Sequence, residues 1–168
     1  FGSNLKASEY QDEGIPIVRL QNVKRNRFID KNIKYVSDEK AIELQRHSFV
    51  AGDLVVTKLG DPLGEAAIVP DNFEKGIIVA DVVRARLDQR LADKKYVMYA
   101  INSPDVIKSL ENEVKGTTRP RVNLGHIRKL EIPLAPLPEQ KRIAEKLDTL
   151  LARVDSCQTH LERVPQIL

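Results

Sequence analysis

The chain has 168 residues, with 27 Lys and Arg against 24 Asp and Glu, one Cys, one Met and no Trp. This length suits one domain, or one domain with an appendage, whose core is mostly aliphatic because only four Tyr and four Phe are present. No apolar run reaches the ~18–20 residues that a membrane helix needs, and one Cys excludes an internal disulfide or a Cys-rich zinc site. The cysteine usage fits a reducing, cytoplasmic setting. A start at Phe1-Gly2-Ser3, with the only Met at 98, reads as a fragment or a processed piece.

Taken in chain order, residues 15–23 alternate apolar and polar after Pro16 and predict a strand. Asp53 to Leu59 is a β-rich run opened by a turn-like Gly52-Asp53. Further strands are expected at 65–69, 76–80, 82–87 and 127–132. Two helices are predicted before the last of these. One covers Tyr96–Ile101; the other follows Ser103 as N-cap with Pro104 in its first turn. There is no βαβ alternation, so the fold class is α+β, with mixed short strands and a few helices.

Ile132 to Pro138 contains three prolines and predicts an extended linker. A long helix then runs to the end of the chain. Ile143, Leu147, Leu150, Val154, Cys157, Leu161 and Val164 follow one another at alternating spacings of four and three. That stripe is narrower than the face of a core-facing helix and reads better as the seam of a coiled coil. Over 138–163 the rod is about 39 Å long at ~1.5 Å per residue, and it needs a second helix to cover the seam. The division expected is therefore a globular domain over 1–132, a linker over 133–138 and a coiled-coil helix over 139–168.

The charge is uneven. Residues 18–34 hold Arg19, Lys24, Arg25, Arg27, Lys31 and Lys34 against Asp30 alone. Residues 115–129 hold Lys115, Arg119, Arg121, Arg128 and Lys129 with no acid. Each segment carries a net +5, while the helix from 138 is neutral. Arg and Lys neutralise phosphates, Arg, Asn and Gln grip base edges, and Thr hydroxyls add phosphate contacts. A third candidate is Thr57 to Gly64, a strand running into a Gly-containing turn. The nucleic-acid candidates are Arg19, Gln21, Asn22, Lys24, Arg25 and Arg27; Thr57, Lys58 and Asp61; and Thr118, Arg119, Arg121 and Asn123.

Catalytic patterns are poor. Pro70-Asp71 with Asp93-Lys94-Lys95 has the outline of a metal-dependent nuclease site, but Pro104-Asp105 with Glu113-Val114-Lys115 matches as well, which shows how cheap the pattern is. His47, His126 and His160 have no metal-ligand spacing. No cofactor motif is present.

One order of segments is distinctive. Gly116 to Asn123 is followed by Ile127-Arg128-Lys129-Leu130-Glu131-Ile132-Pro133-Leu134, then by Leu137-Pro138-Glu139-Gln140-Lys141-Arg142-Ile143. With Ile15 to Arg19, Gly52 to Val56 and Gly64 to Val69 upstream, it resembles the specificity subunit of Type I restriction-modification enzymes along nearly the whole chain. The resemblance implies a target-recognition domain plus its conserved helix, about half of a subunit. It implies a module that reads one half of a split duplex DNA target, has no catalysis of its own, and docks methyltransferase subunits through its helix. Methyltransferase, ATPase and nuclease activities would belong to the modification and restriction subunits. The seam would pair with a second domain–helix unit or with another copy. The alternatives are an assembly module whose basic surface is incidental, and a metal-dependent nuclease.

Overall fold

In this computed structural model, residues 2–114 and 120–163 are described, with side chains as far as Glu162. The expected sites Thr118, Arg119 and Val164 lie outside the described residues.

A four-stranded mixed sheet is built from β1 (Ile15–Val18), β4 (Lys34–Val36), β5 (Ser48–Val50) and β8 (Lys75–Ile78) in the order β4-β1-β8-β5. Its central pair, β1 with β8, is parallel. A three-stranded antiparallel sheet consists of β6 (Leu54–Thr57), β7 (Ala66–Ile68) and β9 (Val82–Ala85), with β6 in the middle. A small hairpin joins β2 (Val23–Lys24) to β3 (Arg27–Phe28). Among the described residues the α-helices are, in chain order, α1 (Asp38–Glu43), α2 (Lys94–Ile101), α3 (Pro104–Glu113), α4 (Leu124–Arg128) and α5 (Leu137–Arg163). No helix among the described residues is long and apolar enough to cross a membrane.

Successive side chains of a strand point to opposite faces, and β6 uses both. Val55 joins Val18, Phe49, Ile78 and Val82 in one cluster, while Leu54 and Val56 join Ala66, Val83, Tyr96, Val97 and Ile101 in another. The three-stranded sheet is thus a middle layer, buried on one side by the strands of the larger sheet and on the other by α2. Every residue of β6 is buried, which explains its unbroken apolar run. Ile17, Val36 and Ile77 cover the far face of the larger sheet beneath the N-terminal segment and α1. Leu63, Leu110 and Val122 form a fourth cluster with Ile127 and Leu130 around the loop after β6.

The helices start where polar caps place them. The Asp93 carboxylate accepts from the Tyr96 amide at 2.9 Å, the Ser103 hydroxyl from Val106 at 3.5 Å, and the Asn123 side chain from His126 at 3.0 Å. Pro104 and Pro138 sit in first turns, as expected.

Two expectations are corrected. The strand over 15–23 breaks after Val18, where Leu20–Asn22 forms a 3-10 turn, and the chain resumes in the hairpin. No strand forms over 127–132. The Asn123 cap starts α4, and Ile127 within it and Leu130 just past its end both pack on the fourth cluster.

Candidate nucleic-acid interface

The β2–β3 hairpin presents its two faces differently. Val23 is fully buried and Phe28 packs on Phe73 at 5.2 Å between ring centroids, whereas Lys24 and Arg27, paired across the strands, lie on the exposed face. Its turn passes through Asn26 at φ 60°, the left-handed region that Asn tolerates. Two buried polar residues hold it. The Glu65 carboxylate accepts from Lys24 Nζ at 3.2 Å and from the Arg25 amide at 3.1 Å. The Asn102 side chain accepts from the Ala66 amide at 2.9 Å and donates to the Ala66 carbonyl at 2.8 Å and to Asn26 Oδ1 at 2.7 Å. The Asn102 carbonyl accepts from Arg25 Nη2 at 2.7 Å.

The β6–β7 loop, residues 58–65, links the two basic segments. At its start the Lys58 carbonyl accepts from the Val122 amide at 2.9 Å, and Leu59 bridges to Arg121. At its end Glu65 grips the hairpin. Leu63 is buried against Leu110 and Val122. Gly64 has φ +71°, and a Cβ there would lie 2.4 Å from Leu110 Cδ1, so no other residue fits without displacing Leu110. The loop is therefore anchored at both ends and at its middle, and Asp61 stands exposed on it. Arg121 pairs with Asp81. Burial, with Arg121 nearby, pushes the Lys58 ammonium down despite Asp81, so the two cations feel each other.

Not every candidate is at the surface. Asn22 is fully buried: its oxygen accepts from the Arg19 amide at 3.1 Å, and its amide donates to the carbonyls of Ile29 at 2.9 Å and Lys31 at 3.3 Å. Thr57 is fully buried in β6. These two shape the fold and are out of reach of a ligand. Arg19 lies over the Tyr10 ring at 5.7 Å and donates to the Asn32 carbonyl. Asn123 spends its side chain on the α4 cap. Gln21 and Arg27 are exposed, and no side-chain partner is recorded for either among the described residues. Glu65 and Asn102 were not foreseen. A Glu at the head of an apolar run and an Asn at the end of α2 were the only signs of them.

The first nuclease outline is spread over elements of different kinds. Asp93 caps α2 while Asp71 lies in a loop, and no cluster of three His, Cys, Asp or Glu fit to hold a metal occurs among the described residues.

Helix α5 does two things. Its beginning is part of the domain: Gln140 is fully buried, accepting from the Asp93 amide at 2.8 Å and donating to the carbonyls of Leu91 at 2.9 Å and Ala135 at 2.7 Å. Ala144 and Ile143 pack against the α2 cluster, so Ile143 serves the domain. Asp148 closes the contact, bonded to Lys95 Nζ at 2.5 Å and to the Tyr99 hydroxyl. Beyond it the apolar stripe is uncovered: Leu150 is 46% exposed, Val154 50% and Leu161 69%, and Cys157 is exposed too.

A sequence model described as the Type I restriction modification DNA specificity domain matches residues 3–166. The chain is 29% identical over 161 residues to the Type I restriction enzyme StySPI specificity subunit of Salmonella potsdam, covering 94% of this chain and 34% of that protein. It is 29% identical to the EcoBI specificity subunit of Escherichia coli, covering 99% and 33%. The chain thus spans about a third of the length of the curated relatives it matches. Among solved structures, a chain from the type I R-M system, described for its complex assembly and conformational transition, superposes with a TM-score of 0.68 at 19% identity, over 95% of this chain and 37% of that one. The HsdS subunit from Thermoanaerobacter tengcongensis gives 0.65 at 19%, over 92% and 42%. At that identity the two structures speak for the fold.

Proposed function

Since the chain belongs to the Type I restriction modification DNA specificity domain family, we propose that it is a sequence-reading DNA module without catalysis of its own, which recognises one half of a split duplex target. The observation that carries this reading is the β6–β7 loop, which joins the basic hairpin to Arg121 and holds an exposed polar tip between them. Lys24, Arg27, Lys58 and Arg121 anchor phosphates; Gln21 and the loop, with Thr118 and Arg119, approach base edges. Arg25 steadies the hairpin. The apolar stripe of α5, half-buried at Leu147 and exposed at Leu150, Val154, Cys157 and Leu161, pairs, together with Val164, with a second domain–helix unit or another copy as a coiled coil, and the helix docks methyltransferase subunits. Restriction subunits join through that assembly.

Salt dependence tests this reading. Binding to duplex DNA should weaken steeply as salt rises, and Arg27→Glu should lower affinity on every sequence and flatten the log–log slope by about one. Binding that ignores salt and survives Arg27→Glu would sink the reading. It would favour a second one, an assembly module with an incidental basic surface. That alternative draws on the internal engagement of Arg19, Lys24, Arg25 and Lys34.

A further inference from the structure

Asp61 is anomalous on a surface that meets phosphates. Its carboxylate is exposed, and no hydrogen bond or ion pair is recorded for it among the described residues, although Lys58 lies three residues away and Arg121 pairs across the Leu59 bridge. Arg121 turns instead to Asp81. The loop that carries Asp61 is not free to swing it aside. Leu63, two residues on, is 1% exposed in its cluster, and Gly64 is held against Leu110. An unneutralised carboxylate beside DNA is repelled by every phosphate. In the major groove it is repaid only by a base amino group, the cytosine N4 or adenine N6 donor.

We propose that Asp61 is a specificity-determining residue, accepting a hydrogen bond from an exocyclic base amino group in the major groove. This rests on the DNA-reading role proposed above. Lys58 and Arg121 set the loop on the backbone, and Asp61 rejects sequences that place a carbonyl or a methyl group where it needs a donor. Discrimination then comes from repulsion as much as from the bond.

The test uses the full chain and a randomised duplex pool. The wild-type chain should enrich a motif, and Asp61→Ala should lose preference at one cytosine or adenine position while the rest of the motif persists. At that position a base without its amino group, 2-pyrimidinone for cytosine or unsubstituted purine for adenine, should cost the wild type about five- to a hundredfold in affinity and cost Asp61→Ala nothing further. The analogue that bites identifies the base. Asp61→Asn removes the charge and leaves an acceptor oxygen, so it should keep part of the preference. If Asp61→Ala and Asp61→Asn instead raise affinity for every duplex by the same factor with the motif unchanged, the carboxylate is only a brake and the proposal fails. If the wild type enriches no motif, the DNA-reading role falls and this proposal with it.

Discussion

Asn102 and Glu65 place the hairpin, and each does so from the interior. Removing the Asn102 side chain leaves the buried Ala66 amide without its partner and takes one of two donors from the Ala66 carbonyl, which keeps the Asn26 amide at 3.0 Å. Asn102→Ala should therefore cost about 1–3 kcal/mol in urea unfolding, and it should weaken DNA binding beyond what the lost stability accounts for, because the hairpin turn loses the bond to Asn26 Oδ1 that fixes it. Asp148 is the corresponding residue on α5. Burial pushes its carboxyl up, but the bonds from Lys95 and Tyr99 and the Lys95 charge outweigh this and hold it below its ordinary value. A carboxyl lowered on folding stabilises the fold above its unfolded value, ~4, and that contribution is lost as the pH falls through the lowered value. The difference in melting temperature between wild type and Asp148→Asn should accordingly be present at pH 6 and shrink toward pH 3. A difference that is constant over that range would show that the Asp148 charge is not what holds the helix.

Among the elements, α5 packs its beginning into the domain and leaves its later apolar positions exposed. Gln140 bonds to backbone groups at 91, 93 and 135, so Gln140→Leu should destabilise the whole domain by about 2–4 kcal/mol by leaving those groups unpaired. Leu150→Glu, on the open stretch, should leave the melting temperature unchanged and abolish pairing, read as a lower mass in sedimentation. An unchanged mass with partner binding intact would refute the seam. The long C-terminal helix, the helix starts near Ser103 and Pro138 and the β6 run were legible because periodicity and capping are local. The hairpin was not: its strands are two residues each, and its stability comes from Glu65 and Asn102, distant in sequence. Likewise, no spacing distinguishes Ile143, which the domain uses, from Leu150, which it leaves exposed. Asn22 and Thr57 stand among the nucleic-acid candidates although both are buried, because nothing local to a polar residue beside a basic segment or a Gly-containing turn announces its burial.

For the whole molecule, the net charge of +3 conceals two cationic segments, and the fold reveals how much of that charge is free. Arg19, Lys24, Arg25 and Lys34 are drawn into contacts within the chain, whereas Arg27, Lys31, Arg128 and Lys129 have no acidic partner recorded among the described residues. On the proposed reading, electrostatic affinity should then be moderate, and selectivity should come from the loop and its neighbours. The direct measurement is the ratio of affinities for a duplex selected by the chain and for a scrambled duplex of the same composition, at physiological salt. A module that reads even three base pairs should bind the selected duplex at least about a hundredfold more tightly. A ratio of one, with both duplexes bound equally well, would contradict sequence reading by this domain.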